Sequence, residues 1–255
     1  MYIGKRDYAN GPQFSVFGAD KAAEIHAASC RVLQEQGMVV KHEGAREMLK
    51  AAGALVEGDK VFVSASLVER ALKQLPSRIT LFDRDGNPAM FLEGRNVYYG
   101  TGSDTVNVTD FESRTRRPWT KEDIDGALRL CDALPNIDFI MSMGIISDVP
   151  VTANTREQYS RMIFNSTKPH VVVADNAEDL EDIFRMYIAV RGSAEALRLK
   201  PYGVVYNEPT SPLLHSFEAI DKLILCAKYG VPTNYAAGGM AGATTPVSPA
   251  GTIVL

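Results

Sequence analysis

The chain has 255 residues, of which 45% are hydrophobic and 23% are charged, and this composition excludes a disordered or fibrous protein. Its 27 basic and 31 acidic residues give a net charge of −4, which argues against a surface that binds nucleic acid. No apolar run reaches the length of about eighteen residues that a membrane span needs, and no signal-peptide pattern is visible. The sequence therefore predicts a cytoplasmic protein with no membrane or nucleic-acid partner.

The first 94 residues alternate short helix and strand patterns. Helices are predicted over 20–36, over 43–52 and from a cap at Ser66 to about residue 75. A strand pair over 55–63 turns at Gly58 and Asp59, and a hairpin over 79–92 turns at Asp85, Gly86 and Asn87. This pattern predicts a small α+β cap at 1–94.

From residue 95 onward, short apolar runs recur at a nearly constant spacing. They begin at Val97, Ile137, His170, Tyr202 and Thr233, which are 40, 33, 32 and 31 residues apart. Helical stretches follow the first four runs, and Thr120 with Asp123 forms a capping-box pattern before one of them. Buried runs that alternate with helices are typical of parallel βα units.

The predicted fold class is therefore α/β, with an incomplete TIM (β/α)8 barrel of about five strands over 95–255. A smaller open sheet is the alternative. We expect the three remaining barrel strands to follow Leu255, because the chain stops just after Ser248 and Pro249 begin a new helix. An unclosed barrel exposes strand edges, so we also expect a homo-oligomer.

The active site of such a barrel lies at the C-terminal ends of the strands, and polar residues follow each run here. Glu208 and Asp175 are the predicted catalytic residues, because a carboxylate at a strand end can act as an acid or base. Helix capping by Asp175 or Asn176 is the alternative. The predicted substrate-binding residues are Tyr99, Asp104, Tyr206, Asn207, His215, Tyr235 and Gly239.

Aromatic faces attract quaternary ammonium groups, which makes the tyrosines candidates for the wall of a pocket, although strand tyrosines often pack in a core. A structural role is likewise the alternative for His215. No spacing typical of metal ligands occurs, and Cys30, Cys131 and Cys226 are predicted to be buried free thiols. The basic run at Arg114, Arg116 and Arg117 is predicted to be a solvated turn.

Three segments carry a resemblance to a known family. ALPNIDFI (133–140), TKP (167–169) and AGATTPVSPAG (241–251) resemble the trimethylamine methyltransferase family. The resemblance implies a (β/α)8 barrel that moves a methyl group from a methylated amine to the Co(I) centre of a separate corrinoid protein. It also implies that the chain itself binds no cofactor, and that the cobalamin-type corrinoid stays on the partner.

Similar proteins act on trimethylamine or on quaternary amines such as glycine betaine, and archaeal members that use trimethylamine carry pyrrolysine. The deciding position is expected after Leu255, so the branch and the amine stay open. Two other functions stay open as well. One is a barrel lyase or aldolase with Glu208 or Asp175 as base, and the other is an amine-binding fragment without turnover.

Overall fold

The structure, a computed structural model, describes residues 15–255 and has a mixed α/β architecture with several small sheets. Residues 1–14 of the predicted cap lie outside the described residues. Helices in the described part are α1 (Ala19–Glu35), α2 (Glu43–Ala51), α3 (Ala65–Leu72), α4 (Lys121–Ala133), α5 (Asn154–Asn165), α6 (Ala177–Arg191), α7 (Ala194–Leu199), α8 (Phe217–Tyr229) and α9 (Pro249–Val254).

The strands of the same part are short. They are β1 (Met38–Val40), β2 (Leu55–Glu57), β3 (Lys60–Phe62), β4 (Ile79–Phe82), β5 (Pro88–Leu92), β6 (Asn107–Thr109), β7 (Arg116–Pro118), β8 (His170–Val172), β9 (Gly203–Asn207), β10 (Leu214–His215) and β11 (Thr233–Tyr235). No helix among residues 15–255 is both long enough and apolar enough to cross a membrane.

The chain divides into two compact units. One contains the described residues up to Ser77 together with Asn207–Asp221 and Tyr235–Leu255, and the other contains Arg78–Tyr206 and Lys222–Asn234. The hairpin of β4 and β5, which the sequence pattern placed in the cap, packs within the second unit. The domain boundary near residue 94 stays a prediction.

The first unit contains a four-stranded sheet in the order β10-β1-β3-β2. The predicted pair β2 and β3 is confirmed, with Gly58 in the left-handed region (φ +63°) at its turn. The predicted cap of α3 is wrong by two residues. Ser64, not Ser66, has the extended backbone of an N-cap, and its hydroxyl accepts a hydrogen bond from the Leu67 N–H group.

The second unit aligns the apolar runs side by side in chain order. Gly100 forms a parallel bridge with Phe139, Ile140 forms one with His170, and β8 pairs in parallel with β9. Strand β11 lies on the other side of β9. The parallel order agrees with the prediction, although the first two runs make single bridges rather than regular strands. Residues 15–255 form no closed barrel, so the barrel stays a prediction.

Alternate residues of these strands pack on opposite faces, as the two-residue period of a strand requires. Val172 and Val205 join the fully buried side chains of α4, α5 and α6 in one core cluster. Val171 and Val204 instead pack with the hairpin of β4 and β5. The sheet is therefore covered by helices on one face and by a hairpin on the other.

The hairpin is attached beside the residues that precede β8 and β9. The Arg84 N–H group donates to the Thr167 carbonyl, and the Phe82 N–H group donates to the Pro201 carbonyl. The Arg191 guanidinium donates to the carbonyls of Asp83 (2.6 Å) and Arg84 (2.8 Å). Because these contacts gather at the N-terminal ends of the strands, the hairpin leaves the opposite, C-terminal ends to the candidate site residues.

The basic run before α4 corrects the prediction of a solvated turn. Arg117 lies in β7 and donates hydrogen bonds to the carboxylates of Asp110 and Asp123 at distances of 2.6 to 2.9 Å. Asp123 is also the acidic partner in the capping box of α4, in which the Thr120 hydroxyl accepts a hydrogen bond from the Asp123 N–H group. The ion pairs therefore link the hairpin of β6 and β7 to the start of α4.

Candidate active site

In the second unit, Asp104, which follows the first run, contacts Ser142 in the C-terminal part of the second run. The Ser142 hydroxyl donates a hydrogen bond to Asp104 Oδ1 (3.0 Å) and accepts one from the Asp104 N–H group (3.3 Å). Ser142 is 5% exposed, whereas the Asp104 side chain faces solvent. The structure therefore presents a carboxylate whose orientation is set by a buried hydroxyl.

Two residues that the sequence did not single out complete this group. The Gln158 side chain in α5 donates a hydrogen bond from Nε2 to the Ser142 carbonyl (2.9 Å). Trp119 donates from Nε1 to the hydroxyl of Thr105 (2.9 Å), the residue after Asp104. A Cβ on Gly144 would overlap the Trp119 ring, so the glycine permits the close approach of that ring.

Tyr99 lies away from the Asp104 group. Its N–H group donates to the Asp138 carboxylate (2.8 Å) and its carbonyl accepts from the Asp138 N–H group (2.6 Å), near the start of the second run. Its side chain is 59% exposed. The prediction placed Tyr99 at the mouth of the strands, whereas it bonds Asp138 near the start of the second run, four residues before the Ser142 that contacts Asp104.

Asp175 follows β8 and is exposed. The residue that caps α6 is Asn176, whose side chain accepts a hydrogen bond from the Asp179 N–H group (2.9 Å). Asp175 is therefore not the cap, and its carboxylate faces solvent at a strand end. Tyr206, near the end of β9, is half-buried.

In the first unit, the Asn207 side chain is used by the fold. It is 3% exposed, its Nδ2 donates to the Ala219 carbonyl (2.6 Å), and its Oδ1 accepts from the Glu208 N–H group (3.1 Å). These bonds connect the end of β9 to the first turns of α8. A substrate would have to compete with the chain for either end of this amide.

His215 and Tyr235 form a half-buried pair in the same unit. His215 Nδ1 lies 2.7 Å from the Tyr235 hydroxyl, and the two rings stack with centroids 5.7 Å apart. Burial lowers the pKa of His215 and raises the pKa of Tyr235 to about 12. Both side chains are therefore neutral near pH 7, and they share a hydrogen bond whose direction depends on the histidine tautomer.

Glu208 and the glycine-rich segment after β11 border one cavity of about 310 Å3. Its lining residues are Glu208, Pro209, Thr210, Ser211, Gly238, Met240 and Thr244. A Cβ on Gly238 would lie 3.4 Å from Glu208 Oε2, and a Cβ on Gly239 would lie 2.7 Å from the Thr245 methyl group. A larger depression beside α7 and α8 contains none of the predicted site residues.

The candidate residues therefore lie in both compact units, with Asp104 bonded to Ser142 in one unit and His215 next to Tyr235 in the other. Among residues 15–255, no set of three or more histidine, cysteine, aspartate or glutamate side chains could hold a metal ion. Cys30 and Cys226 are buried free thiols as predicted, whereas Cys131 is only half-buried.

The sequence matches the family model described as trimethylamine methyltransferase (MTTB) over residues 5–255. It is 32% identical to the trimethylamine methyltransferase MttB of Methanosarcina barkeri, over 96% of this chain and 51% of the relative. It is 28% identical to the MttB of Desulfitobacterium hafniense, over 93% of this chain and 48% of the relative.

A glycine betaine methyltransferase of Desulfitobacterium hafniense is 26% identical, over 96% of this chain and 51% of that protein. The chain therefore spans about half the length of the curated relatives that it matches. The relatives' names cover two different methylated amines, so similarity to them does not select one substrate.

Proposed function

The chain belongs to the trimethylamine methyltransferase family, and we propose from this premise that its protein moves a methyl group from a methylated amine to a corrinoid protein. The observation that carries the proposal is the family match over residues 5–255. The donor would be trimethylamine or a quaternary amine such as glycine betaine. A corrinoid partner, a homo-oligomer and a cytoplasmic location are parts of the same proposal.

The proposed fold of the complete protein is a (β/α)8 barrel. The first four runs of this chain lie parallel and in chain order, and β11 lies next to β9, which is how consecutive βα units of a barrel are arranged. The hairpin of β4 and β5 lies beside the N-terminal ends of β8 and β9, so the C-terminal ends of the strands are the side on which we propose that the amine binds.

The charges of the candidate residues suit a cationic substrate. A quaternary ammonium group has no N–H group to donate, so a protein recognises it by carboxylates and aromatic faces. We propose that either unit can recognise an ammonium group. In the second unit Asp104 would supply negative charge and Tyr206 a ring face. In the first unit Glu208 would supply negative charge, Tyr235 would supply a ring face, and His215 would orient Tyr235. Asp175 is proposed as an acid or base for amines that gain or lose a proton.

The partner's reduced corrinoid would supply the Co(I) centre that accepts the methyl group. The residues of this chain would bind the amine, orient its methyl group and exclude water from it. Among the proposed residues Gly239 would act through its backbone, because a side chain at this position would meet Thr245.

The test is a methyl-transfer assay with the full-length protein, its reduced corrinoid partner and a series of amines. Formation of methyl-Co(III), followed by its absorption spectrum, is the expected result with at least one tertiary or quaternary amine. Glu208→Gln should slow the reaction, whereas Glu178→Gln, which changes a side chain that is 86% exposed on α6, should not. Turnover of a carbonyl substrate without any methyl transfer would favour the lyase alternative.

A further inference from the structure

We propose that Ser142 and Gln158 are positioning residues that hold the Asp104 carboxylate as the counter-ion of the substrate ammonium group. The inference rests on the proposed function and deepens it, because it assigns a defined anion to a methylated ammonium and two residues to the orientation of that anion. All three residues belong to the second compact unit.

Asp104 has an uncommon backbone conformation. Its φ angle is +59°, in the left-handed region that costs free energy for a residue with a Cβ. The Ser142 hydroxyl bonds both the N–H group and one carboxylate oxygen of this residue. A single hydroxyl therefore fixes the backbone and the side chain of Asp104 together.

Gln158 in α5 holds Ser142 in place. Gln158 is 3% exposed and donates from Nε2 to the Ser142 carbonyl, so the second run is held by α5 at this residue. Its other amide atom, Oε1, is buried and has no hydrogen-bond partner within the described part of the chain. Buried polar atoms without a partner are rare, and they mark positions whose role is not packing alone.

The Asp104 carboxylate has no cationic partner among the described residues. None of the ion pairs formed within residues 15–255 includes Asp104, although its carboxylate is exposed. A carboxylate that is held in one orientation by a neutral donor and has no cationic partner attracts a cation at a fixed place without further reorganisation. The ammonium group of a methylated amine is the cation that the proposed reaction supplies.

The test measures binding of tetramethylammonium chloride to the full-length protein by calorimetry, with sodium chloride at equal ionic strength as the reference. Asp104→Asn and Ser142→Ala should each raise the dissociation constant about fivefold or more. Ser142→Thr retains the hydroxyl and should recover most of the affinity.

The matched control is Thr101→Val. The Thr101 hydroxyl also bonds the backbone of the second run, because it accepts from the Met141 N–H group (2.7 Å), but it does not contact Asp104. This variant removes one bond between the first two runs and leaves Asp104 unchanged, so it should change the dissociation constant by less than about twofold. Trp119 is the single tryptophan, so its fluorescence reports whether the fold next to Thr105 is kept in each variant.

Kinetics with the methyl-transfer assay separate a positioning role from a structural one. Ser142→Ala should raise KM for the amine and leave kcat nearly unchanged, whereas a folding defect would lower kcat through the active fraction. Absence of tetramethylammonium binding, or equal binding by Ser142→Ala and the unchanged protein, would overturn the inference.

The proposed function and this inference fail in different ways. Methyl transfer that is insensitive to Asp104→Asn would leave the function standing and overturn the counter-ion. Binding of tetramethylammonium that depends on Asp104, together with no methyl transfer from any amine, would support the ammonium site and count against the function.

Discussion

Acidification should destabilise this fold through one buried histidine. His170 is the first residue of β8 and is fully buried, with Nδ1 at 2.7 Å from the Tyr187 hydroxyl. The ring centroids of Tyr202 and Tyr159 lie 4.6 and 6.3 Å from its own. Burial lowers the pKa of His170 to about 3, because no nearby charge stabilises the imidazolium.

The sign and size of the effect follow from linkage. An unfolded histidine has a pKa of about 6.5, so between pH 6.5 and pH 3 the unfolded chain binds a proton that the folded chain excludes. The free energy of unfolding therefore falls as the pH is lowered, by about 1.4 kcal/mol per pH unit. At pH 5 the loss attributable to His170 is about 2 kcal/mol.

The assay is urea unfolding at several pH values between about 7.5 and 5, with His170→Gln as the variant that cannot titrate. The unchanged protein should lose about 2 kcal/mol more than this variant over the range. Tyr187→Phe is the matched control, because it removes the hydroxyl beside His170 and keeps the imidazole buried. Equal pH slopes for the unchanged protein and His170→Gln would refute the reasoning.

Three further substitutions test the packing of the second unit. Arg191→Met should lower the free energy of unfolding by about 2–4 kcal/mol, since it leaves four backbone carbonyls without this donor, and urea titration with Arg191→Lys as partial rescue would check this. Gly144→Ala should displace the Trp119 ring and cost about 1–3 kcal/mol, and an unchanged fluorescence maximum would contradict it. Thr120→Ala should cost about 1 kcal/mol and speed hydrogen exchange in the first turn of α4, whereas Thr120→Ser should preserve both values.

Local signals in the sequence predicted most elements of the second unit. The Thr120 and Asp123 pair is confirmed as a capping box, because its two hydrogen bonds join residues only three apart. The order of the apolar runs was predictable for a related reason, since elements that follow one another in the chain usually lie next to each other in space. The sequence alone did not identify which of Ser64 and Ser66 caps α3, because the backbone conformation decides which of two nearby serines is the cap.

The candidate site was less predictable, because its contacts join residues that are far apart in the chain. Asp104 could be placed at a run end from the sequence, but its bond to Ser142 spans 38 residues and the support from Gln158 comes from a helix. Asn207 looked available for a substrate, whereas its amide serves the start of α8. The type of a polar residue alone therefore does not show whether its side chain is open to a substrate or is already bonded within the fold.

Neighbouring carboxylates in this chain differ in the partners that bind them. The pKa of Asp110 is lowered to about 2, first by the backbone N–H group and hydroxyl of Ser113 and then by Arg117. Arg117 is also the main cause that lowers the pKa of Asp123. Both carboxylates are thus committed to linking the hairpin of β6 and β7 to α4.

Asp104, only six residues before Asp110, is oriented by a neutral hydroxyl and pairs with no cation of residues 15–255. A carboxylate that already neutralises an arginine gains little from a second cation, whereas one oriented by a neutral donor keeps its full charge for a ligand. The difference between the two kinds of carboxylate therefore lies in the partner, and it makes Asp104 the member of this segment that can attract an ammonium group.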